Sequence, residues 1–451
     1  MGSLVTPGLG VPVRAGIDGT VAVGVEEVDG RRVVRARTSS GRRRGALARE
    51  DGESLAHAAK LALEARIPLL VELASSGADV SVGLDALHGW GSAAASIAAC
   101  SGVVPVLAAA VGPVISGPAL LLGLSDLVVM NPSAVAFLSG PAMVEAFTGV
   151  RLSPQALGGP RVHATTSGVC ALEADDAMAG MARLLSFLPD HADVEAPRVP
   201  SDDPPERVTP ELRSVVPAHE RASYDVRDVV SLVVDDGIVC ELWRRWAPQL
   251  VTAFGRLDGR AVGVVANQPR ALAGTLDIAA SQKAARFVRL CDAFNLPILT
   301  FVDTPGFLPG KDLEWRGMIR HGAELAFAYA DATVPRLCVI LRKAFGGAYI
   351  VMDSRGLGND LCFAWPQAQI AVMGAPGAVQ ILHRSTSEED RRRREDEYRA
   401  RYLAPWPAAE RGFVDEVIDP AETRRALAAG LRALSTKREI LRRRKHDSGP
   451  L

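Results

Sequence analysis

Apolar and polar positions alternate in two short runs, Thr20 to Val25 and Arg31 to Arg37, on either side of Asp29-Gly30. A period of two with Asp-Gly at the reversal predicts a β-hairpin. From Glu50 to Glu64 the spacing becomes helical, and Ile67-Pro68-Leu69-Leu70-Val71-Glu72-Leu73 then reads as a buried strand. Strand and helix patterns keep alternating to about Pro189. Between Asp190 and Ala222 lies a stretch rich in Pro, Asp and Glu, including Asp202-Asp203-Pro204-Pro205-Glu206, which reads as a linker that buries little. A second strand-and-helix region runs to about Leu434. The expected division is an N-terminal domain over 1–195, a linker over 196–222 and a C-terminal domain over 223–451, all of α/β class.

The two halves carry the same punctuation. Pro68 precedes Gly77 by nine residues, and Pro297 precedes Gly306 by nine. Pro105 stands twelve residues before Gly117, and Pro335 twelve before Gly347, each interval filled by an apolar run. Four landmarks in one order predict an internal duplication. The ends of those apolar runs are the chemically suggestive positions. A buried strand that passes directly into a helix leaves backbone N–H groups unpaired at the helix start, and such a turn attracts negative charge. The second-half turn is Arg342-Lys343-Ala344-Phe345-Gly346-Gly347-Ala348-Tyr349; the first-half turn is Gly112-Pro113-Val114-Ile115-Ser116-Gly117-Pro118-Ala119, with Pro118 suited to an early helical position. Two oxyanion pockets in one chain suit carbonyl chemistry through an enolate.

Composition narrows the classes of function. The 451 residues are 48% hydrophobic and 23% charged, as in a folded globular protein. With 51 Lys plus Arg against 52 Asp plus Glu, the net charge of −1 provides no global field for nucleic acid or an anionic membrane. The six cysteines form no Cys-x-x-Cys pair and read as reduced and cytoplasmic, with no metal expected. No apolar run reaches the roughly 20 residues of a membrane span. His163 and His321 stand near no recognisable nucleophile and read as structural. The mixed-sign run Glu388 to Glu397 reads as a solvated helix.

At the two turns the chain resembles a known family. Thr300-Phe301-Val302-Asp303-Thr304-Pro305-Gly306-Phe307, Ile319-Arg320-His321-Gly322-Ala323, the Gly346-Gly347-Ala348-Tyr349 turn and Ala364-Trp365-Pro366 are similar to the carboxyltransferase β subunit of biotin-dependent acyl-CoA carboxylases, of the propionyl-CoA carboxylase type. The N-terminal half resembles it more loosely, in a divergent and shortened form. The family's Ser-Gly-Gly-Ala-Arg turn reads Ser75-Ser76-Gly77-Ala78-Asp79 here, and its first Gly-Gly pair reads Ser116-Gly117.

The resemblance implies two tandem crotonase-like domains, acyl-CoA held by the first and biotin received by the second, usually in a homo-hexamer. It implies that carboxylate passes from carboxybiotin to the α carbon of a short or modified acyl-CoA through an enolate, without a side-chain base. By correspondence, Gly347 and Ala348 hold one oxyanion, and Ser116 and Gly117 the other. Gly77, Ala78, Pro305, Gly306, Gly346, Tyr349 and Ile350 contact substrate, and Ile350 stands where relatives tune acyl-chain preference. No Ala-Met-Lys-Met sequence or Walker-type loop occurs, so biotin and its ATP-driven carboxylation are expected from a biotin carboxylase and carrier α subunit. Supply of polyketide extender units is one expected role. The alternatives are a biotin-independent decarboxylase or transcarboxylase of secondary metabolism, and a non-catalytic scaffold paralogue.

Overall fold

The computed structural model describes residues 11–15, 19–39, 43–220, 222–383, 387–437, 439–441, 443–445 and 447–450. The chain divides into two compact units, one of residues 1–197 with 293–295 and one of 198–292 with 296–451.

In the first unit β1 (Val11–Ala15) pairs antiparallel with β2 (Val21–Val28), and β2 with β3 (Arg31–Thr38). Asp29 and Gly30 join β2 to β3 at φ +48° and +76°. Two left-handed residues in a row are what a two-residue hairpin needs to match the strand twist. From β3 the sheet runs parallel through β4 (Leu69–Ser75), β5 (Val106–Ile115) and β6 (Leu127–Met130). The short β7 (Val135–Phe137) pairs with the far end of β5, and β8 (Leu172–Glu173) closes the edge beside β6. Parallel strands need crossovers, and the helices Arg49–Ala65 and Leu84–Ala98 supply two of them. These helices cross closely: a Cβ on Gly52 would lie 2.1 Å from the Gly89 backbone, so glycine is required there. The core between helices and sheet holds Val34, Leu55, Leu69, Val71, Ile97 and Val106, all buried.

The second unit repeats this plan strand for strand. β9 (Cys240–Leu242), β10 (Leu250–Leu257) and β11 (Arg260–Asn267) are antiparallel; β12 (Ile298–Thr304), β13 (Arg336–Phe345) and β14 (Leu361–Ala364) continue in parallel. β15 (Gln369–Ala371) pairs with the end of β13, and β16 (Glu416–Val417) with β14. The sheet order β16-β14-β13-β12-β11-β10-β9 is that of β8-β6-β5-β4-β3-β2-β1.

The equivalence holds to the residue. Leu69 N–H donates to Pro105 O at 2.9 Å, and Ile298 N–H donates to Pro335 O at 2.9 Å. Strand register slips between Leu73 and Ser75 in β4 and between Val302 and Thr304 in β12, five to seven residues after each landmark proline. Asp258-Gly259 turns the second hairpin at φ +56° and +71°, as Asp29-Gly30 turns the first. The fold is therefore a pair of crotonase-like α/β repeats.

The structure differs from the expectation for residues 196–222. From Arg198 onward they belong to the second unit, and Thr209 and Leu212 are fully buried. The cause is Arg424, wholly buried, whose guanidinium must find acceptors for its N–H groups. It donates to Asp203 O at 2.9 Å, Pro204 O at 3.0 Å, Val233 O at 2.6 Å and the Asp235 carboxylate at 2.8 Å. A polar, proline-rich segment thus docks through its carbonyl groups. Among the described residues no helix is long and apolar enough to cross a membrane.

Lys283 does the same for the loop before β10. Its side chain is buried on the Ile278–Ala293 helix, and Nζ donates to Trp243 O, Trp246 O and Leu250 O at 3.0, 2.9 and 2.6 Å, with Ala247 O at 3.4 Å. Trp243 and Ala247 hold positive φ in that loop. Removing the amine takes this donor from Trp246 O and Leu250 O, at about 1–3 kcal/mol for each group, while Trp243 O and Ala247 O keep Trp246 N–H and Leu250 N–H at 3.0 and 3.1 Å. Lys283→Met is expected to cost about 3 kcal/mol or more in urea unfolding; a loss below about 1 kcal/mol would show that the loop holds itself.

Candidate active site

β13 carries the apolar run Leu337 to Leu341, buried throughout, and ends where Gly346 takes φ +60°. A Cβ at Gly346 would stand 3.1 Å from Val372 O, so both conformation and space favour glycine. The chain turns straight into the Gly346–Val351 helix. The amides of Gly346, Gly347 and Ala348 occupy its first turn, where no intrahelical acceptor exists, and no side chain caps it. Gly347 is exposed while the Ala348 side chain is buried. The bend therefore presents main-chain donors and little else.

Charged anchors hold both ends of this bend. At the strand end, the buried Asp303 carboxylate accepts from Arg342 Nε at 3.0 Å, Tyr224 Oη at 2.9 Å and Lys343 N at 3.1 Å. Burial lifts the Asp303 carboxyl above its ordinary range, against the opposing pull of Arg342. At the helix end, Asp353 takes φ +58° and accepts from Arg336 Nη1 at 2.7 Å, while Asn359 Nδ2 donates to Asp353 O at 2.6 Å. Burial pushes the Asp353 carboxyl up to about 6. Neither carboxylate lines either of the two cavities that flank this helix, and both hold the bend from its ends.

Two cavities flank the helix in the second unit. One of about 580 Å³ is lined by Gly346, Gly347, Tyr349 and Ile350, with Tyr398 and Phe413 opposite. The other, about 490 Å³, is lined by Phe307, Glu314, Met318, Ile319, Gly347 and Ile350, so a carboxylate stands on this side. Among the described residues, no Asp, Glu, His, Lys or Cys lines the larger cavity. Gly347 and Ile350 face both. Pro305 and Gly306 form the half-buried turn just before Phe307, whose ring lies 3.6 Å from a Cβ built on Gly347, so this turn and the bend are neighbours. Gly77 and Ala78 form the equivalent turn in the first unit: a Cβ on Gly77 would lie 3.6 Å from Ile115 O and 3.7 Å from Ser116 Cβ.

The first-unit bend is a modified copy. Ser116 has φ +61° and ψ −137°, matching the φ of Gly346, and Gly117 matches Gly347. The expectation that Ser116 donates its amide to a ligand is corrected, because that N–H already donates to Phe137 O at 2.9 Å. Pro118, which matches Ala348, has no N–H at all. Ala119 N–H is bonded to Ser116 O at 2.9 Å. Gly117 is therefore the donor left in the first turn, where the second bend keeps Gly347 and Ala348. The missing donor was readable in the sequence, since a proline two positions after Ser116 cannot supply an amide; the engagement of Ser116 by β7 was not.

His163 and His321 have partners within the fold. His163 Nε2 lies 2.8 Å from Ala136 O and Nδ1 2.7 Å from Ser167 Oγ, and His321 Nδ1 lies 3.3 Å from Glu324. The mixed-charge run forms the helix Glu388–Tyr398, with no buried residue.

A pair of crotonase-like repeats, each ending its central strand in a glycine-bearing bend, defines a carboxyltransferase architecture. The model of the carboxyl transferase domain matches residues 11–448, and the chain belongs to that family. The carboxyltransferase subunit of propionyl-CoA carboxylase from Haloferax mediterranei is 44% identical over 441 residues, covering 96% of this chain and 86% of that one. Methylmalonyl-CoA decarboxylase subunit alpha from Veillonella parvula is 40% identical over 436 residues, covering 96% and 85%. Among solved structures, the transcarboxylase 12S hexamer with hydrolysed methylmalonyl-coenzyme A superposes with a TM-score of 0.97 at 38% identity, covering 99% of this chain and 91% of that one.

Left-handed backbone at Ser116 strains a residue that carries a Cβ, by about 1–3 kcal/mol. Ser116→Gly removes that strain at some cost in unfolded-chain entropy. A net stabilisation of about 1 kcal/mol is expected in chemical denaturation, and a destabilised variant would refute the strained backbone at this position.

Proposed function

We propose that this chain is the carboxyltransferase subunit of a biotin-dependent acyl-CoA carboxylase, acting on a short or modified acyl-CoA. The observation that carries the reading is the start of the Gly346–Val351 helix, whose first amides have no intrahelical acceptor and no side-chain cap, beside a mostly apolar cavity that Arg355 and Arg411 also line and that, among the described residues, no carboxylate, imidazole, lysine or thiol lines. Such a site stabilises developing negative charge on oxygen and does not itself take a proton.

The larger cavity fits the group that the family implies. Its Tyr, Phe, Ile and Val walls suit the apolar flank of a compact bicyclic ring, with Arg355, Arg411 and the main chain of Gly347 supplying polar contacts for the ureido group. Carboxybiotin, carried by a partner protein, supplies carbon dioxide and a ureido nitrogen able to accept the α proton of the acyl-CoA. Gly347 and Ala348 N–H hold the ureido oxygen. Gly117 N–H holds the thioester oxygen as the enolate forms, with Gly77 and Ala78 along the same edge. Pro305 and Gly306 set Phe307 against the bend, and Gly346 and Tyr349 wall the biotin side. Acyl-CoA is thus assigned to the first repeat and biotin to the second, in a homo-hexamer served by a biotin carboxylase and carrier subunit.

Ile350 is 43% exposed and faces both cavities, so its side chain selects what fits beside the bend. Ile350→Asp is expected to lower kcat/KM for acyl groups with longer apolar chains about tenfold relative to the shortest, as a desolvated carboxylate would. Equal effects across acetyl-, propionyl- and butyryl-CoA would remove Ile350 from the specificity pocket.

The reaction is tested in reverse with purified protein, methylmalonyl-CoA and biocytin. Biocytin-dependent conversion to propionyl-CoA is expected. Conversion indifferent to biocytin would replace this reading by a biotin-independent decarboxylase, and inertness toward malonyl- and methylmalonyl-CoA would leave a scaffold. Gly347→Val places methyl groups in the cavities while its Cβ makes only ordinary contact with Phe307. By filling the space in front of the amides it is expected to reduce turnover by at least 100-fold, as much as the loss of one oxyanion donor, with the fold retained. Activity within about tenfold of the parent would move the oxyanion site elsewhere.

A further inference from the structure

The first bend has lost a donor that its copy retains. Pro118 stands where Ala348 stands, and proline has no amide. Ser116 N–H is committed to Phe137 O. One amide, that of Gly117, is a meagre cradle for an enolate oxygen, which in preorganised sites meets two donors.

Trp90 lies against this same turn. It sits on the Leu84–Ala98 helix, packed on the first-unit core, and its ring edge crosses Gly117. A Cβ built on Gly117 would be 3.1 Å from Trp90 Nε1, 3.2 Å from Cε2 and 3.3 Å from Cδ1. A larger residue at 117 would require the indole to give by a few tenths of an ångström. Trp90 Nε1 is buried and has no hydrogen-bond partner among the described residues. Indole is a donor only, and a buried Trp N–H ordinarily finds an acceptor.

We infer that Trp90 Nε1–H replaces the missing amide, so that the thioester oxygen is held between Gly117 N–H and the Trp90 indole. A glycine's Cβ position lies roughly 2.5 Å from its own nitrogen by bond geometry. The two donor nitrogens are therefore no more than about 5.6 Å apart, within the roughly 5.8 Å that two N–H donors sharing one oxygen at about 2.9 Å can span. Trp90 is on this account a catalytic residue of the acyl-CoA side, and it rests on the function proposed above. The loss at 118 and the orphaned donor at 90 are one compensated change: each leaves a group without a counterpart, and the two groups lie on the same turn.

The test compares binding of CoA with binding of a CoA analogue whose thioester is replaced by a nitronate, a stable mimic of the enolate. Trp90→Phe keeps the ring packing and removes the N–H. It is expected to weaken the nitronate analogue about 10- to 100-fold, the range for a hydrogen bond to a charged acceptor, and CoA less than twofold. Pro118→Ala in the Trp90→Phe background restores an amide and is expected to recover at least tenfold of that loss, which a merely structural role for Trp90 would not do. Equal weakening of both ligands, no weakening, no recovery on restoring the amide, or a parent that does not prefer the nitronate over CoA would each overturn the inference. Because the measurement is of binding, a parent that prefers the nitronate through Trp90 but transfers no carboxylate would leave this inference standing and bring down the proposed reaction instead.

Discussion

Both bends depend on one backbone event, the turn of a buried parallel strand into a helix through a residue of positive φ. At Gly346 the chain takes φ +60°, and at Ser116 φ +61°. That single dihedral ends the strand ladder and starts the helix before any of its first amides can be satisfied internally. The N–H groups at the helix start are held in place by the fold and not by the ordering of a side chain. The positioning is then carried by groups remote from any ligand: Asp303 with Arg342 and Tyr224 at one end, Asp353 with Arg336 at the other. Each is a buried pair whose partners are also hydrogen-bonded to the main chain, the condition under which such pairs hold geometry.

Duplication explains why the two bends can be compared atom by atom, and why their differences carry meaning. Leu69 and Ile298 meet Pro105 and Pro335 through the same hydrogen bond, and Leu47 and Leu276 form the same isolated bridge beside the Gly77 and Gly306 turns. Against that constancy, the first bend departs in three adjacent places. Serine replaces glycine at the strained residue, proline replaces the second donor, and an indole closes over the glycine between them. The second bend departs in none of these, and it alone borders the two described cavities. The repeats share an architecture and have diverged in the donors they offer.

The chemistry of buried donors and acceptors also shapes parts of the fold far from the bends. Arg424 draws the carbonyls of Asp203 and Pro204 onto the second unit, and Lys283 gathers the carbonyls of the Trp243 to Leu250 loop. In both cases one buried basic side chain, through the N–H groups it donates, holds irregular chain in place.

Much of this architecture can be read along the chain, because it is written in local patterns. Asp29-Gly30 between alternating runs specifies the hairpin, since only left-handed residues complete a two-residue turn. The equal intervals from Pro68 to Gly77 and from Pro297 to Gly306 reveal the repeat, and the Gly346-Gly347 pair marks the strand-to-helix bend. What lay beyond reach involves partners distant in sequence. Residues 198–222 look solvated until Arg424, some 220 positions away, is seen to need their carbonyls. Ser116 looks like a free donor until β7 brings Phe137 O to it, and Trp90 looks like core until its nitrogen is found unpaired on Gly117. Periodicity and turn chemistry are properties of neighbouring residues. Whether a given N–H is spent or available depends on which acceptor the folded chain carries to it.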